Sequence, residues 1–394
     1  MAEAVAYSKG AQGLRRWMML GAMAFLAACQ VVPKAPPKTV EAPPQVETGQ
    51  VGNQLPTDAA RHRIALLVPL SGSNAGVGES ISNAANLAVL DTGGKNIRIT
   101  TYDTATGAAA AAQKALADGN RLILGPLLAE DVRAVAPVAR AAKVPVISYS
   151  NDLSVAGNGA YLMGFAPTQS IDRVVAYARS KGLTRFAGLV PNGLYGQRAS
   201  QALIKAVASA GGQLVGMQSF DRSPGAITAA VTKLSQSSAY DAVLIADSGR
   251  FALQIVPLVR KHGGATARIL GTELWNTESS LAQNPTMQGA WFASVADSYY
   301  NTLAGKYRTR FGKGPYRLAS LGYDSVLLVN KIAAGWKPGT VFPMAQLNDP
   351  DGFAGIDGAF RFGKDGMAER MLEVQQVGSG GFSVISPAVR SFGK

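Results

Sequence analysis

Residues 64–72 read Ile64-Ala65-Leu66-Leu67-Val68-Pro69-Leu70-Ser71-Gly72. Five apolar residues, stopped by proline and followed by Ser-Gly-Ser-Asn, form the pattern of a short strand buried on both faces that runs into a loop. Ile81, Ala84, Ala85 and Ala88 then recur at helical spacing. Outward from this stretch the alternation continues. Strands are expected at 97–102, 122–124 and 144–148, with helices at about 108–117 and 130–142. Strands alternating with helices dictate a parallel sheet covered on both faces.

The pattern then starts again. A helix from about 170 precedes a strand at 186–190, and Val190-Pro191-Asn192-Gly193-Leu194-Tyr195-Gly196 repeats the order strand, proline, Gly-containing loop, helix. Further strands are expected at 214–220, 242–246 and 268–271. The fold class is therefore α/β, with two doubly wound parallel-sheet lobes. Each lobe presents loops at the carboxyl ends of its strands, where open parallel sheets bind ligands. The last hundred residues read as helices at 299–311 and 320–335. A hairpin follows, in which 358–362 and 371–377 flank the turn Gly363-Lys364-Asp365-Gly366.

Composition agrees with that size. The chain has 394 residues, 47% of them hydrophobic and 16% charged, which suits two lobes plus appendages. The net charge of +13 favours anionic partners such as lipid headgroups, wall polymers or acidic protein faces. Its Lys and Arg are dispersed, with no basic run or finger motif, so nucleic acid is not expected as a partner. A single cysteine, Cys29, excludes an internal disulfide. His62 and His262 stand far apart, no cluster has metal-ligand spacing, and no metal or cofactor is expected. No histidine is placed for a nucleophilic triad, and the Gly-containing loop after Pro69 lacks the Lys of a phosphate loop. The chain reads as non-catalytic.

Arg15-Arg16 precede an apolar run at 17–28, too short to span a bilayer and ended by small residues. Leu26-Ala27-Ala28-Cys29 resembles a bacterial lipobox, which implies a signal peptide over 1–28 and acylation of Cys29. Buried acyl chains contribute about 0.8 kcal/mol per methylene, so several chains anchor stably. Gln30 stands where Gram-negative lipoproteins of the inner membrane carry Asp, which implies anchoring on the periplasmic side of the outer membrane. Residues 29–62 are proline-rich without apolar periodicity and read as a tether. The folded body is expected from 63.

Several features recur in order and spacing: Val68-Pro69-Leu70-Ser71-Gly72, Tyr102-Asp103-Thr104, Leu124-Gly125-Pro126, Val144-Pro145-Val146-Ile147-Ser148, Tyr195-Gly196, Gly322-Tyr323-Asp324 and the hairpin at Gly358. Over 63–385 the chain resembles the type I periplasmic binding proteins, in the branch that binds leucine, isoleucine and valine. The resemblance implies a hinge of three crossovers, near Ala166, Ala296 and Gly355. Lobe 1 is then about 63–165 and 297–354, and lobe 2 about 166–296 and 355–394.

It also implies a cleft for a zwitterion, with first-lobe hydroxyls and N–H groups on the carboxylate and a second-lobe acid and aromatics on the amine. Ser71 and Gly72 match the first carboxylate contact, Tyr195 the aromatic and Glu273 the acid. Ser148, Tyr149, Ser150 and Asn151 complete the cleft candidates. Ala129 replaces a common hydroxyl residue. Asp152 falls where a carboxylate-binding hydroxyl belongs, unless Ser150 takes that role, and two carboxylates repel in a dry site. The same residues also suit structural uses: serines in turns, tyrosines filling an interface, Glu273 as a surface acid.

Tyr102-Asp103-Thr104 with Leu124-Gly125-Pro126-Leu127-Leu128 further resembles the carboxyl-terminal domain of LpoA-type penicillin-binding-protein activators. That likeness implies an outer-membrane regulator whose partner is a peptidoglycan synthase or peptidoglycan itself. The alternative is a solute receptor for an ABC importer, holding an amino acid or related small polar ligand in its cleft.

Overall fold

The computed structural model describes residues 60–389, 391 and 392. The signal peptide, Cys29, Gln30 and the tether up to residue 59 lie outside the described residues. β1 (His62–Val68) is buried at every position except Arg63, as its apolar run requires. Along it, Ile64, Leu66 and Val68 face one helical layer, and Ala65 and Leu67 face the other.

After β1 come α1 (Ala75–Asp91), β2 (Ile97–Asp103), α2 (Ala108–Ala117), β3 (Leu122–Leu124), α3 (Ala129–Ala141), β4 (Val146–Ser148) and β5 (Ala160–Leu162). The five strands form one parallel sheet in the order β2-β1-β3-β4-β5. β5 has only three residues and follows Gly157-Asn158-Gly159, which is why no apolar run announced it.

The second lobe contains α4 (Pro167–Ser180), β6 (Arg185–Pro191), α5 (Leu194–Ser209), β7 (Gln213–Phe220), α6 (Pro224–Ser235), β8 (Ala242–Ile245), α7 (Gly249–Lys261), β9 (Arg268–Gly271) and β10 (Trp291–Ser294). Ile171 and Val174 of α4 pack with Leu203 of α5 on one face of its sheet. Val231 of α6 packs with Ile255 of α7 on the other. The chain then returns to the first lobe through α8 (Ser298–Phe311) and α9 (Ala319–Ala333), and α9 lies against α1.

The doubled motif seen in the sequence is a real repeat. A Cβ on Gly78 of α1 would lie 1.8 Å from the Pro69 carbonyl oxygen, and one on Gly196 of α5 would lie 1.6 Å from that of Pro191. In both lobes glycine lets the helix start close under the strand that precedes it.

Three boundaries differ from the sequence reading. β1 already includes His62, so the body starts before residue 63. The His62 ring stacks on Trp336 at 3.8 Å, its Nε2 lies 2.9 Å from the Trp336 carbonyl oxygen, and burial lowers its pKa. β11 (Phe353–Gly355), β12 (Gly358–Phe362) and β13 (Ala368–Arg370) form a small antiparallel sheet. Phe353, Phe360 and Phe362 enter the same core as Ile64 and Leu66, so the third crossing lies at Met371-Leu372 and not near Gly355. The hairpin turn at 363–366 therefore joins β12 to β13. β14 (Glu373–Gly378) instead enters the second lobe, pairing antiparallel with β10 and with β15 (Gly381–Ser386). The second sheet runs β15-β14-β10-β9-β8-β6-β7. Met371, Leu372, Val374 and Val377 show no period that assigns this stretch to either sheet, whereas Phe353, Phe360 and Phe362 hold β11 and β12 to the first-lobe core.

Candidate functional site

The loops at the carboxyl ends of both sheets border a cleft of about 490 Å³. First-lobe walls come from Asn74 and Val77 after β1, Leu127 and Leu128 after β3, and Tyr149 and Asn151 after β4. Glu273, Leu274 and Thr277, after β9, form the second-lobe wall. Phe165 at the first crossover, with Arg317 and Leu318 before α9, closes the end nearest the hinge.

Among the sequence-derived candidates, the structure brings Tyr149, Asn151 and Glu273 together in this cleft. The serines are used for architecture. Ser71 Oγ donates to Asp103 at 2.8 Å, and the same carboxylate accepts from the N–H groups of Leu70 and Ala105. Gly72 adopts a φ of +72° at the exposed turn beside it. Ser148 Oγ donates to the Pro126 carbonyl at 2.7 Å and accepts from Ser150 N–H. Ser150 Oγ accepts from Asp152 N–H at 3.2 Å. The Tyr195 hydroxyl meets Thr272 Oγ1 at 3.2 Å, one residue before Glu273. Trp275, Trp291 and Trp336 are all buried.

Asp152 does not stand as an unpaired acid. Its carboxylate forms ion pairs with Arg198 of α5 at 2.5 Å and with Arg133 of α3 at 3.3 Å, and accepts from Ser154 N–H at 2.9 Å. Burial alone would push the Asp152 carboxyl up, but the Arg198 and Ser154 bonds outweigh it and bring it to about 2. Glu273 has the opposite setting. Burial pushes its carboxyl up to about 7, against a hydrogen bond from Ser170 Oγ.

Arg317 and Arg370 organise the hinge, and no motif pointed to either. Arg317 pairs with Asp357 at 2.8 Å and with Asp297, at the second crossover, at 3.3 Å. Arg370, just before the third crossover, donates through Nη2 to the Met163 carbonyl at 2.8 Å, beside the first. Both guanidinium groups stack over Phe165, at 5.8 and 5.0 Å from the ring centroid. The only sequence signal for Arg317 is a cation at the mouth of an apolar helix. Among the described residues no group of three or more His, Cys, Asp or Glu is placed to hold a metal ion, and no helix is long and apolar enough to cross a membrane.

A family model described as periplasmic binding protein matches residues 62–381. An uncharacterized protein of Rickettsia prowazekii (strain Madrid E), RP748, is 27% identical over 177 residues, which are 44% of this chain and 47% of that protein. The match thus spans about half the length of that curated relative. Three solved structures share the fold. One is a branched-chain amino acid ABC transporter periplasmic ligand-binding protein of Burkholderia xenovorans LB400, with 19% identity, TM-score 0.68, and coverage of 84% of this chain and 96% of that one. Another is the branched-chain amino acid transporter substrate-binding protein LivJ of Streptococcus pneumoniae with isoleucine, with 21% identity, TM-score 0.60, and coverage of 83% and 100%. The third is an ABC transporter solute-binding protein of R. palustris with benzoate, with 17% identity, TM-score 0.60, and coverage of 84% and 97%.

These findings correct the expectation of a penicillin-binding-protein activator that acts on a peptidoglycan synthase or peptidoglycan. The matched family and folds are those of solute-binding proteins. The residues behind the activator likeness have architectural uses. Asp103 fastens the loop after β1, Tyr102 donates to Asp118 at 2.8 Å, and a Cβ on Gly125 would lie 2.0 Å from the Leu67 carbonyl oxygen.

Proposed function

Because the chain belongs to the periplasmic binding protein family, we propose that it is the solute-binding component of an ABC importer, taking a small amphipathic molecule between its lobes. The observation that carries this is the cleft's division. Val77, Leu127, Leu128, Leu274 and Leu318 offer an apolar wall, while Glu273 and Arg317 gather charge at the hinge end. Burying one leucine-sized group is worth about 1.5–3 kcal/mol, so such a wall holds a compact apolar body. Isoleucine and benzoate, held by two proteins of this fold, are both of that shape. A branched-chain amino acid is the first candidate, its amine on Glu273 and its side chain on the leucines. Asn74, Asn151 and Thr277 supply polar contacts at the walls.

Acylation of Cys29 belongs to the same reading, carried by Leu26-Ala27-Ala28-Cys29. An outer-membrane address does not, because an importer's receptor has to reach a permease in the inner membrane. Titration calorimetry of the purified protein with leucine, isoleucine, valine and benzoate tests the proposal. Binding of at least one, with a Kd on the order of 1 μM, is expected. Silence across the four would sink it.

A further inference from the structure

Behind the hinge end of the cleft lies a separate small cavity of about 40 Å³, lined among others by Ser170, Glu273, Asn276, Ser294, Arg317 and Arg370. It shares Phe165, Glu273 and Arg317 with the cleft, so the two spaces adjoin. We propose that this cavity is a carboxylate subsite, in which Arg370 and Arg317 seat the acid end of the cleft ligand. The inference rests on the solute-binding reading and names the ligand class that this site selects.

The argument begins with unmatched donors. The Arg370 side chain is only 1% exposed, yet its Nε and Nη1 have no hydrogen-bond acceptor. Arg317 is 13% exposed and its Nε also has none. Three buried guanidinium nitrogens around one cavity thus lack a hydrogen-bond acceptor, the acid beside Arg370 Nη1 being Asp324 at 3.9 Å, beyond hydrogen-bond reach. Buried charged donors are normally hydrogen-bonded, because leaving them bare is costly. An acceptor that enters the cavity removes that cost. A carboxylate matches the fork geometry of a guanidinium and is small enough for this space. One water-sized group needs about 10–15 Å³, so the cavity has room for about three, the number of heavy atoms in a carboxylate.

The surrounding acids do not close the site to an anion. Asp357 and Asp297 are engaged by Arg317, Asp324 lies 3.9 Å from Arg370 Nη1, and none of the three is among the cavity walls. Glu273 is the one acid in the wall, and the ammonium of an amino acid would neutralise it. An amino acid would place its ammonium on Glu273 and its carboxylate on the arginines, with the zwitterion seated wholly at the hinge. Two first-lobe hydroxyls already spend their protons within the protein, Ser148 on the Pro126 carbonyl and Ser71 on Asp103.

The test compares acids with their amides on the intact protein. Isoleucine against isoleucinamide, and benzoate against benzamide, are titrated by calorimetry into the wild type and into Arg317→Lys and Arg370→Lys. Thermal melts check that each variant is folded. In the wild type the acid that binds is expected to bind at least 100-fold more tightly than its amide. In either folded lysine variant, which keeps the charge and loses the fork, that preference should drop below tenfold. Acid and amide binding within threefold in the wild type would overturn the subsite, and this arm needs no variant. So would a preference that survives in both lysine variants, because the carboxylate would then be held elsewhere. Failure of all four compounds to bind would instead overturn the solute-binding reading beneath it.

Discussion

Two acids face the space between the lobes from opposite sides, and their surroundings hold them in opposite states. Asp152, on the first lobe, is nearly inaccessible and answered by Arg198 from across the gap, by Arg133 and by Ser154. Glu273, on the second lobe, is held up by burial, against a bond from the Ser170 hydroxyl and a backbone hydrogen bond but no cation. Asp152 is therefore part of the architecture: its charge is matched within the protein, and the match joins the two lobes. Glu273 is left in a state that a folded chain gains nothing from, which supports the ligand-binding role proposed for it. The rim of the cleft is satisfied and its floor is not.

The largest effect should come from relieving the unsatisfied acid. The Glu273 carboxyl has an ordinary value of 4.5 and sits near 7 in the fold. Below pH 4.5 it is protonated in both states and contributes nothing. As pH rises from 4.5 to 7 the unfolded chain ionises first, so the fold loses stability, and the full cost stands above pH 7. The difference corresponds to about 3 kcal/mol. Glu273→Gln is expected to raise unfolding free energy at pH 8 by up to about 3 kcal/mol and to change it little at pH 4. The same variant should weaken amino-acid binding by about 10- to 100-fold. Urea denaturation at both pH values reads the first effect. Equal stability of variant and wild type at pH 8 would show that Glu273 is as satisfied as Asp152.

Asp152 should behave with the opposite sign. Its folded value of about 2 lies below the ordinary 3.8, so its contribution is fully present above about pH 4. That contribution is lost as pH falls from 4 towards 2, and it amounts to roughly 2 kcal/mol. Asp152→Asn is expected to destabilise the protein by about 2 kcal/mol at pH 7 and by little at pH 2. Arg198→Ala should reproduce part of that loss, since Arg133 remains. An Asp152→Asn variant with an unchanged acid limb in its melting profile would break the contrast from this side.

The contrast also explains which parts could be read from the sequence. Parallel strands such as Ile64-Ala65-Leu66-Leu67-Val68 are continuous apolar runs because both faces are covered, so most strands of the two sheets were plain, while the short β5 and β10 and the edge strand β15 were not. The two lobes were plain too, because Val68-Pro69 and Val190-Pro191 each end a strand before a Gly-containing loop and a helix, and Gly78 and Gly196 show the same close approach of helix to strand. The small sheet of β11, β12 and β13 was not, since Phe360 and Phe362 alternate in a way that suits either lobe until the first-lobe core claims them. In the site, Glu273, Tyr149 and Asn151 were legible because they follow strands directly. Arg317 and Arg370 were not, because their meaning lies in a meeting of three crossovers far apart in sequence. Asp152 looked like a damaged carboxylate site because its partner Arg198 lies in the other lobe.

The smallest effect concerns whether the first-lobe wall recognises anything through its polar atoms. The Tyr149 hydroxyl meets Ser325 Oγ at 2.9 Å in the buried interior, and Ser325 Oγ also donates to the Gly322 carbonyl at 2.8 Å. Tyr149→Phe removes one buried hydrogen bond but leaves Ser325 with a partner, so the loss should be about 1 kcal/mol in thermal or urea unfolding. Because the hydroxyl points to α9, the ring alone serves the cleft wall, and ligand affinity should stay within threefold. A tenfold fall in affinity would mean that the hydroxyl leaves Ser325 when ligand enters. The first lobe would then share the unsatisfied chemistry that Glu273 holds alone on the second.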